Sequence, residues 1–148
     1  MKDRYLFKAK RTDNGEWVQG YLVETRYNTY HDGYRIIDKN GINYDELDYY
    51  EPSFISYVID KTTVCQCTGL KDKNGKLIWE NDIVAYWDTY STENGMAEAD
   101  CIGKVFWDNE TMSFEVTNRL SSESYEVLDE CSVIGNIFDN KELLESEG

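Results

Sequence analysis

The sequence lacks several features that define large classes of protein. Its 148 residues include a single proline, and no apolar run approaches the roughly 20 residues that a membrane span requires. Residues 1–8 hold no apolar stretch long enough for a secretory signal, so we expect a cytoplasmic protein with no membrane partner. A composition that is 41% hydrophobic and 14% aromatic is too apolar for a disordered chain. The length is enough for a domain with its own core.

Positive charge is also scarce. The chain has 15 Lys and Arg residues against 29 Asp and Glu residues, which gives a formal net charge of −14. Because surfaces that bind DNA hold its phosphates with cations, direct nucleic-acid binding is disfavoured. The exception is the N-terminus, where five basic residues form either a solvated strand face or a small anion- or RNA-contacting stripe. They are Lys2, Arg4, Lys8, Lys10 and Arg11.

The cysteines do not have the spacing of a metal site. Cys65 and Cys67 alternate along a predicted strand, while Cys101 and Cys131 have no close partner in the sequence. Structural zinc sites instead draw their ligands from Cys-x₂₋₄-Cys knuckles. We therefore expect four reduced thiols and no metal or other cofactor, with a zinc site or a redox pair as minor alternatives.

Catalytic motifs are absent from the sequence. There is no P-loop, no dinucleotide-binding glycine motif, no His-Glu-x-x-His and no EF-hand loop. Carboxylate pairs such as Asp45 with Glu46 are common by chance among 29 acidic residues, and His31 lies in a polar segment without a nucleophile signature. We predict that the protein is not an enzyme. A cleft joining His31 to a perturbed carboxylate or thiol would reverse that prediction.

The dominant pattern in the sequence is the two-residue alternation of β-strands. The pair Asn14-Gly15, a strong hairpin signal, separates residues 4–11 from residues 17–24 and predicts a first hairpin. Many short strands with glycine-bearing turns indicate a mainly β protein, built as a small barrel or a sandwich. The further predicted strands are 54–59, 62–67, 77–79, 82–87, 101–107, 112–116 and 133–138.

The connections between these strands are predicted to be irregular. Residues 88–100 are typical of a polar loop, and residues 120–130 form an acidic connection. Residues 25–53 are a long excursion with a helical turn over 45–50.

A soft domain boundary lies near Asp60. It divides an N-terminal β-rich region, residues 1–60, from residues 61–148, which end in a short helix over 141–145 capped by Asn140. No linker rich in Pro, Gly or Ser separates the two parts, so we expect one compact unit.

Aromatic residues are plentiful, with four Trp and twelve Tyr. Most should form the core and cross-strand pairs. An aromatic surplus on one barrel face would make a stacking or protein-binding surface. Trp87 and Trp107, at the ends of adjacent predicted strands, are the candidates for that surplus.

Two long motifs make the chain recognisable. Residues 68–84, which begin Thr-Gly-Leu and end Asp-Ile-Val, resemble the hallmark of the YopX family, and residues 133–138, Val-Ile-Gly-Asn-Ile-Phe, resemble its closing motif. Residues 17–22 are similar to the family's N-terminal hairpin. One departure is Asn81, where the family usually has glycine. Because Asn also tolerates positive φ, we expect the turn to be retained.

The resemblance implies a fold more than a function. It implies an SH3-type small β-barrel over residues 61–148, with an additional N-terminal β-hairpin layer and the short C-terminal helix. It also implies a protein encoded by phages or prophages that acts in a bacterial host cell. The family brings no established activity, substrate or catalytic residue, so no site role is carried over.

The motif residues have two interpretations. In the first they are scaffold: Gly69, Gly75 and Gly135 fit turn or bulge positions, and Asp82 fits a brace for the turn before its strand. In the second, some of them form an exposed patch that binds a partner. The residues of that possible patch are Thr68, Asp72, Glu80, Trp87 and Trp107.

Two functions follow from these observations. The first is a phage or prophage accessory protein that acts as a non-catalytic protein-binding module, docking a host or phage protein, with a homo-oligomer as a further option. The second is an acidic interference protein that competes with nucleic acid for a host factor. The second function requires the carboxylates of residues 108–130 to be exposed in a row.

Overall fold

The computed structural model describes residues 2–25, 33–43, 53–120 and 127–145. The chain divides into two compact units, Met1–Cys67 and Thr68–Gly148. The sequence analysis predicted a soft domain boundary near Asp60 within one compact unit. His31 and the helical turn predicted over 45–50 lie outside the described residues.

Strands dominate the described residues, which confirms the mainly β prediction. Two helices of four residues follow the long strands, α1 (Val127–Glu130) and α2 (Glu142–Glu145). Short 3₁₀ helices lie at Lys2–Tyr5 and Lys61–Thr63. The strands are β1 (Phe7–Lys10), β2 (Trp17–Thr25), β3 (Gly33–Asn43), β4 (Ser53–Val58), β5 (Cys65–Lys71), β6 (Leu77–Trp79), β7 (Asp82–Thr92), β8 (Gly95–Asp108), β9 (Ser113–Val116) and β10 (Ser132–Asn136).

The first unit is built on the predicted hairpin. Strands β1 and β2 pair antiparallel, with Lys10 opposite Trp17, and Gly15 has a φ of 72° in the turn between them. The predicted start of the first strand at residue 4 is wrong, because residues 2–5 form a 3₁₀ helix closed by a hydrogen bond from the Leu6 N–H to the Asp3 carbonyl (3.1 Å).

The strands of the first unit lie in the order β4-β3-β2-β1-β5. Their alternation buries one row of side chains around a core of Ala9, Ile36 and Ile59. Gly20 lies where β2 and β3 approach closely, and a Cβ at this position would lie only 1.8 Å from the Ile37 carbonyl oxygen. Only glycine fits at that position.

The second unit contains the end of β5, which lies beside β6, and a four-stranded antiparallel sheet in the order β10-β7-β8-β9. The described strands do not close into a barrel. Their core includes Ile78, Val84, Tyr86, Val105 and Cys131. None of the helices in the described ranges is long and apolar enough to cross a membrane.

The polar loop predicted over 88–100 is wrong. Strand β7 continues to Thr92 and β8 begins at Gly95, so these residues form a long hairpin. They are paired from Ile83–Lys104 out to Thr92–Gly95. Burial fades along β7 towards its end, so hydrophobic alternation gives no strand signal there.

The C-terminal helix is confirmed over Glu142–Glu145, but its predicted cap works differently. The side-chain oxygen of Asn140 accepts a hydrogen bond from the Asn136 N–H (3.2 Å), while its backbone carbonyl accepts the Leu143 N–H (2.9 Å). Asn140 therefore uses its side chain to close the turn after β10.

Candidate functional site

Thr68 and Asp72, predicted as members of an exposed patch, are each only 5% exposed. The hydroxyl of Thr68 donates to the Ile78 carbonyl (2.8 Å) and accepts the Leu70 N–H (3.1 Å), which ties β5 to β6. These two side chains act inside the fold and do not present a surface to a partner.

Asp72 organises the turn between β5 and β6. One carboxylate oxygen accepts the N–H groups of Asn74 and Lys76, and the other accepts the Val133 N–H on β10, each at 2.9 Å. Burial of the side chain acts to raise its pKa. The N–H groups of Val133, Lys76 and Asn74 outweigh that effect, so the pKa of Asp72 lies below its usual value.

The turn between β6 and β7 confirms two predictions. Asn81 has a φ of 70°, the left-handed conformation expected of an Asn that replaces a glycine. Asp82 is buried and accepts the Trp79 N–H (2.8 Å), so it braces the turn before its strand. Glu80, the third predicted patch residue of this segment, is half-buried.

The two recognisable motifs meet in space. Residues 82 and 83 of β7 pair with residues 136 and 135 of β10. This pairing follows a bulge in β10 between Val133 and Gly135. The Asn81 carbonyl accepts the Ile137 N–H (3.1 Å). A Cβ on Gly135 would lie 2.5 Å from the Asn140 side-chain oxygen. Residues 81–83 and 135–137 thus join the two motifs in the second unit, and this contact is called here the structural joint.

The two candidate tryptophans are not brought together. Trp87 is 56% exposed and lies opposite Asp100, on the face of β7 and β8 that turns away from the core. Trp107 is half-buried, packs edge-on against Phe114 at 5.0 Å, and belongs to the row of β8 that includes buried Val105. Asp100 and Trp107 are separated by about 23 Å along β8.

The structure identifies a surface that the sequence did not. Residues 87–92 of β7 and 95–100 of β8 form a two-stranded ribbon, called here the arm. Alternate side chains form one face of this ribbon, called here the arm face, and every one of them is exposed. They are Trp87, Thr89, Ser91, Met96, Glu98 and Asp100.

Only Trp87 of the arm face was singled out in the sequence. The pair Asn94-Gly95 is the hairpin signal that would have found the rest, because it lies midway between two polar runs of similar length. Met96 is 68% exposed, and its sulfur lies 3.5 Å from the Ser91 hydroxyl across the ribbon.

The N-terminal basic residues do not form one free stripe. Arg4 lies in the 3₁₀ helix, whereas the Nζ atoms of Lys8 and Lys10 lie 4.8 and 5.4 Å from the centre of the Trp17 ring. Arg11 is 4.5 Å from the Tyr57 ring and pairs with Asp13, its Nε 2.8 Å from a carboxylate oxygen. Three of the five cations are therefore already held by neighbouring side chains.

The remaining candidate sites are the cysteines, clusters of possible metal ligands and one surface groove. All four cysteines are buried, and none of them forms a disulfide. No group of three or more His, Cys, Asp or Glu side chains could hold a metal ion within the described part of the chain. In the first unit, an open groove of about 330 Å³ has a lining of mixed charge. Its residues are Asp3, Leu6, Tyr21, Lys39 and Asn40.

Residues 6–145 match the sequence profile of the family described as YopX protein. The chain belongs to the YopX family. The match includes both motifs of the structural joint and the whole arm. No curated protein matches the chain. The YopX motifs that identify the family are thus used, in this chain, to build the turns and the β7–β10 pairing.

Proposed function

We propose that this YopX-family chain is a non-catalytic protein-binding module, a phage or prophage accessory protein that acts in the cytoplasm of a bacterial host cell. The observation that carries the proposal is the arm face, which exposes Trp87 near one end and Met96 near the other, with polar side chains between them. Aromatic residues and Met are enriched at the centres of protein interfaces.

The scaffold of the module is, in this proposal, an SH3-type barrel in residues 61–148. The consecutive antiparallel strands β7, β8 and β9, with β10 beside β7, share one hydrophobic core in the second unit, which supports it. The N-terminal hairpin β1–β2 would then be an additional β layer of the first unit.

A second candidate function is interference, in which the acidic chain occupies the nucleic-acid-binding surface of a host factor. The charge distribution favours it: the second unit has 18 acidic and 6 basic residues, so it holds −12 of the net charge of −14. The predicted carboxylate row over 108–130 does not support it within the described residues. Glu115 there accepts a hydrogen bond from Ser113 (3.0 Å), and the Asp108 carboxylate accepts the Glu110 N–H (2.8 Å).

Purification of partners from a bacterial host tests both functions. The tagged chain is expressed and recovered with and without nuclease, at low and high salt, and each protein recovered in stoichiometric amount is then purified and titrated with the chain. A protein that binds at both salt concentrations supports the binding module. A nucleic-acid-binding protein released by high salt supports interference, because its ionic contacts are screened.

The remaining outcomes count against both functions. Recovery that depends wholly on nucleic acid would support direct nucleic-acid binding by the chain. A clean preparation, with no protein that binds when purified, would overturn the proposal of a binding module.

A further inference from the structure

The arm face combines apolar and acidic side chains in a fixed arrangement. Along β8 it presents Met96, Glu98 and Asp100, and successive side chains on one face of a strand are about 7 Å apart. Trp87 lies directly opposite Asp100, and Thr89 lies opposite Glu98. The result is a pair of carboxylates flanked by an aromatic ring and a thioether.

The carboxylates of the arm face have no basic neighbours in sequence. No Lys or Arg occurs between Lys76 and Lys104, while the arm and its turn contain Asp88, Glu93, Glu98 and Asp100. Asp88 is buried and accepts the Leu120 N–H (2.7 Å), so it belongs to the fold. Glu98 and Asp100 form no ion pair with any residue that the structure describes. They are a negative charge that nothing described compensates.

This charge limits what the arm face can contact. Two arm faces of this chain brought together would place four carboxylates in one interface, which opposes pairing of copies through it. Nucleic acid and the anionic surface of a bacterial membrane would be repelled in the same way. A protein surface with cations between two apolar sites complements both parts of the face.

We propose that the arm face docks on a basic protein surface, in which lysine or arginine side chains meet Glu98 and Asp100 and two apolar pockets receive Trp87 and Met96. The inference rests on the proposed binding function and names the surface and the partner chemistry for it. Trp87 is the anchor, because tryptophan is among the residues whose truncation costs most at interfaces. Arginine in the partner would also stack on its ring.

Two synthetic peptides serve as probes of this surface. The first is a short acetylated peptide that alternates lysine with leucine, and the second has serine in place of every leucine, so the two have the same charge. Their binding to the purified full chain is measured by fluorescence anisotropy at low ionic strength. We expect the leucine peptide to bind at least tenfold more tightly than the serine peptide.

Paired variants separate the two parts of the interaction. The double substitution Glu98→Gln with Asp100→Asn should weaken both peptides about tenfold. The double substitution Trp87→Ser with Met96→Ser should weaken the leucine peptide to the level of the serine peptide. A matched control, Glu110→Gln with Glu142→Gln, removes the same charge from exposed positions of the second unit and should change binding less than twofold. Circular dichroism verifies that each variant is folded.

Three results would overturn the inference. They are equal binding of the two peptides, a loss in the control variant as large as in the arm variant, or no binding of either peptide. None of these results touches the proposed function, which fails separately if no purified protein binds the chain.

Discussion

Asp72 shows how a single buried residue joins separate parts of the second unit. Its carboxylate holds the β5–β6 turn through Asn74 and Lys76 and reaches β10 through Val133. Asp72→Asn replaces one acceptor oxygen with an NH₂ group, which cannot accept these N–H groups. We expect the free energy of unfolding to fall by about 2–3 kcal/mol. Urea denaturation measures this, with exposed Asp100→Asn as the control that should change little.

The same residue predicts a pH dependence. The folded chain lowers the pKa of Asp72, so its contribution to stability is complete at neutral pH and is lost as the pH falls through the folded pKa. The difference in unfolding free energy between wild type and Asp72→Asn should shrink below about pH 4. A difference that stays constant from neutral to acidic pH would contradict the assigned role.

Position 81, where the family usually has glycine, tests whether the β6–β7 turn depends on a positive φ. Its φ of 70° suits glycine and is tolerated by Asn, whereas a β-branched residue is strained there. Asn81→Val should therefore be less stable than Asn81→Gly by about 1–2 kcal/mol, measured by thermal unfolding of the two variants. Equal stability would show that the turn does not depend on this conformation.

The arm is the element whose removal the fold should tolerate. Asp88 pairs with Ala99, so replacing residues 89–98 by Asn-Gly closes the hairpin with a two-residue turn. Because the side chains removed are almost all exposed, the unfolding free energy should change by less than about 1 kcal/mol. A loss of several kcal/mol in urea denaturation would mean that the arm supports the core.

Sequence reasoning found most of the strands but missed β3 and the arm. The long excursion predicted over 25–53 is wrong over Gly33–Asn43, which form β3 and carry buried Ile36. Strands β1, β2, β4 and β6 were predicted because apolar and polar residues alternate or because Asn14-Gly15 marks a turn. The arm was read as a loop because Thr89–Thr92 lie in water on both faces of the ribbon. Its pairing comes from the continuation of β7 and β8 beyond the core, and the local signal for it is the turn pair Asn94-Gly95.

The residues of the candidate site were also predicted only in part from the sequence. Trp87 was predicted because an aromatic surplus is visible in composition. Thr68 and Asp72 were placed in an exposed patch because polar motif residues look the same in sequence whether they bind a partner or the chain's own backbone N–H groups. Only the hydrogen bonds of the folded chain distinguish these roles.

At the scale of the whole molecule, net charge is the dominant property. The formal charge of −14, of which the second unit has −12, repels itself most strongly in the compact state. Raising sodium chloride from about 0.01 M to 0.15 M shortens the Debye length from about 30 Å to about 8 Å, so the melting temperature should rise. The variant Glu110→Gln with Glu142→Gln should melt higher than wild type at low salt, with a smaller gap at high salt. Salt-independent melting would contradict this account.

The central claim, that the chain binds a protein through its arm, is tested most directly by hydrogen exchange. Deuterium uptake is measured for the chain alone and in complex with the purified partner. The account predicts that the largest decrease in uptake falls within residues 87–100. A decrease confined to the first unit, or no decrease in the arm, would contradict it.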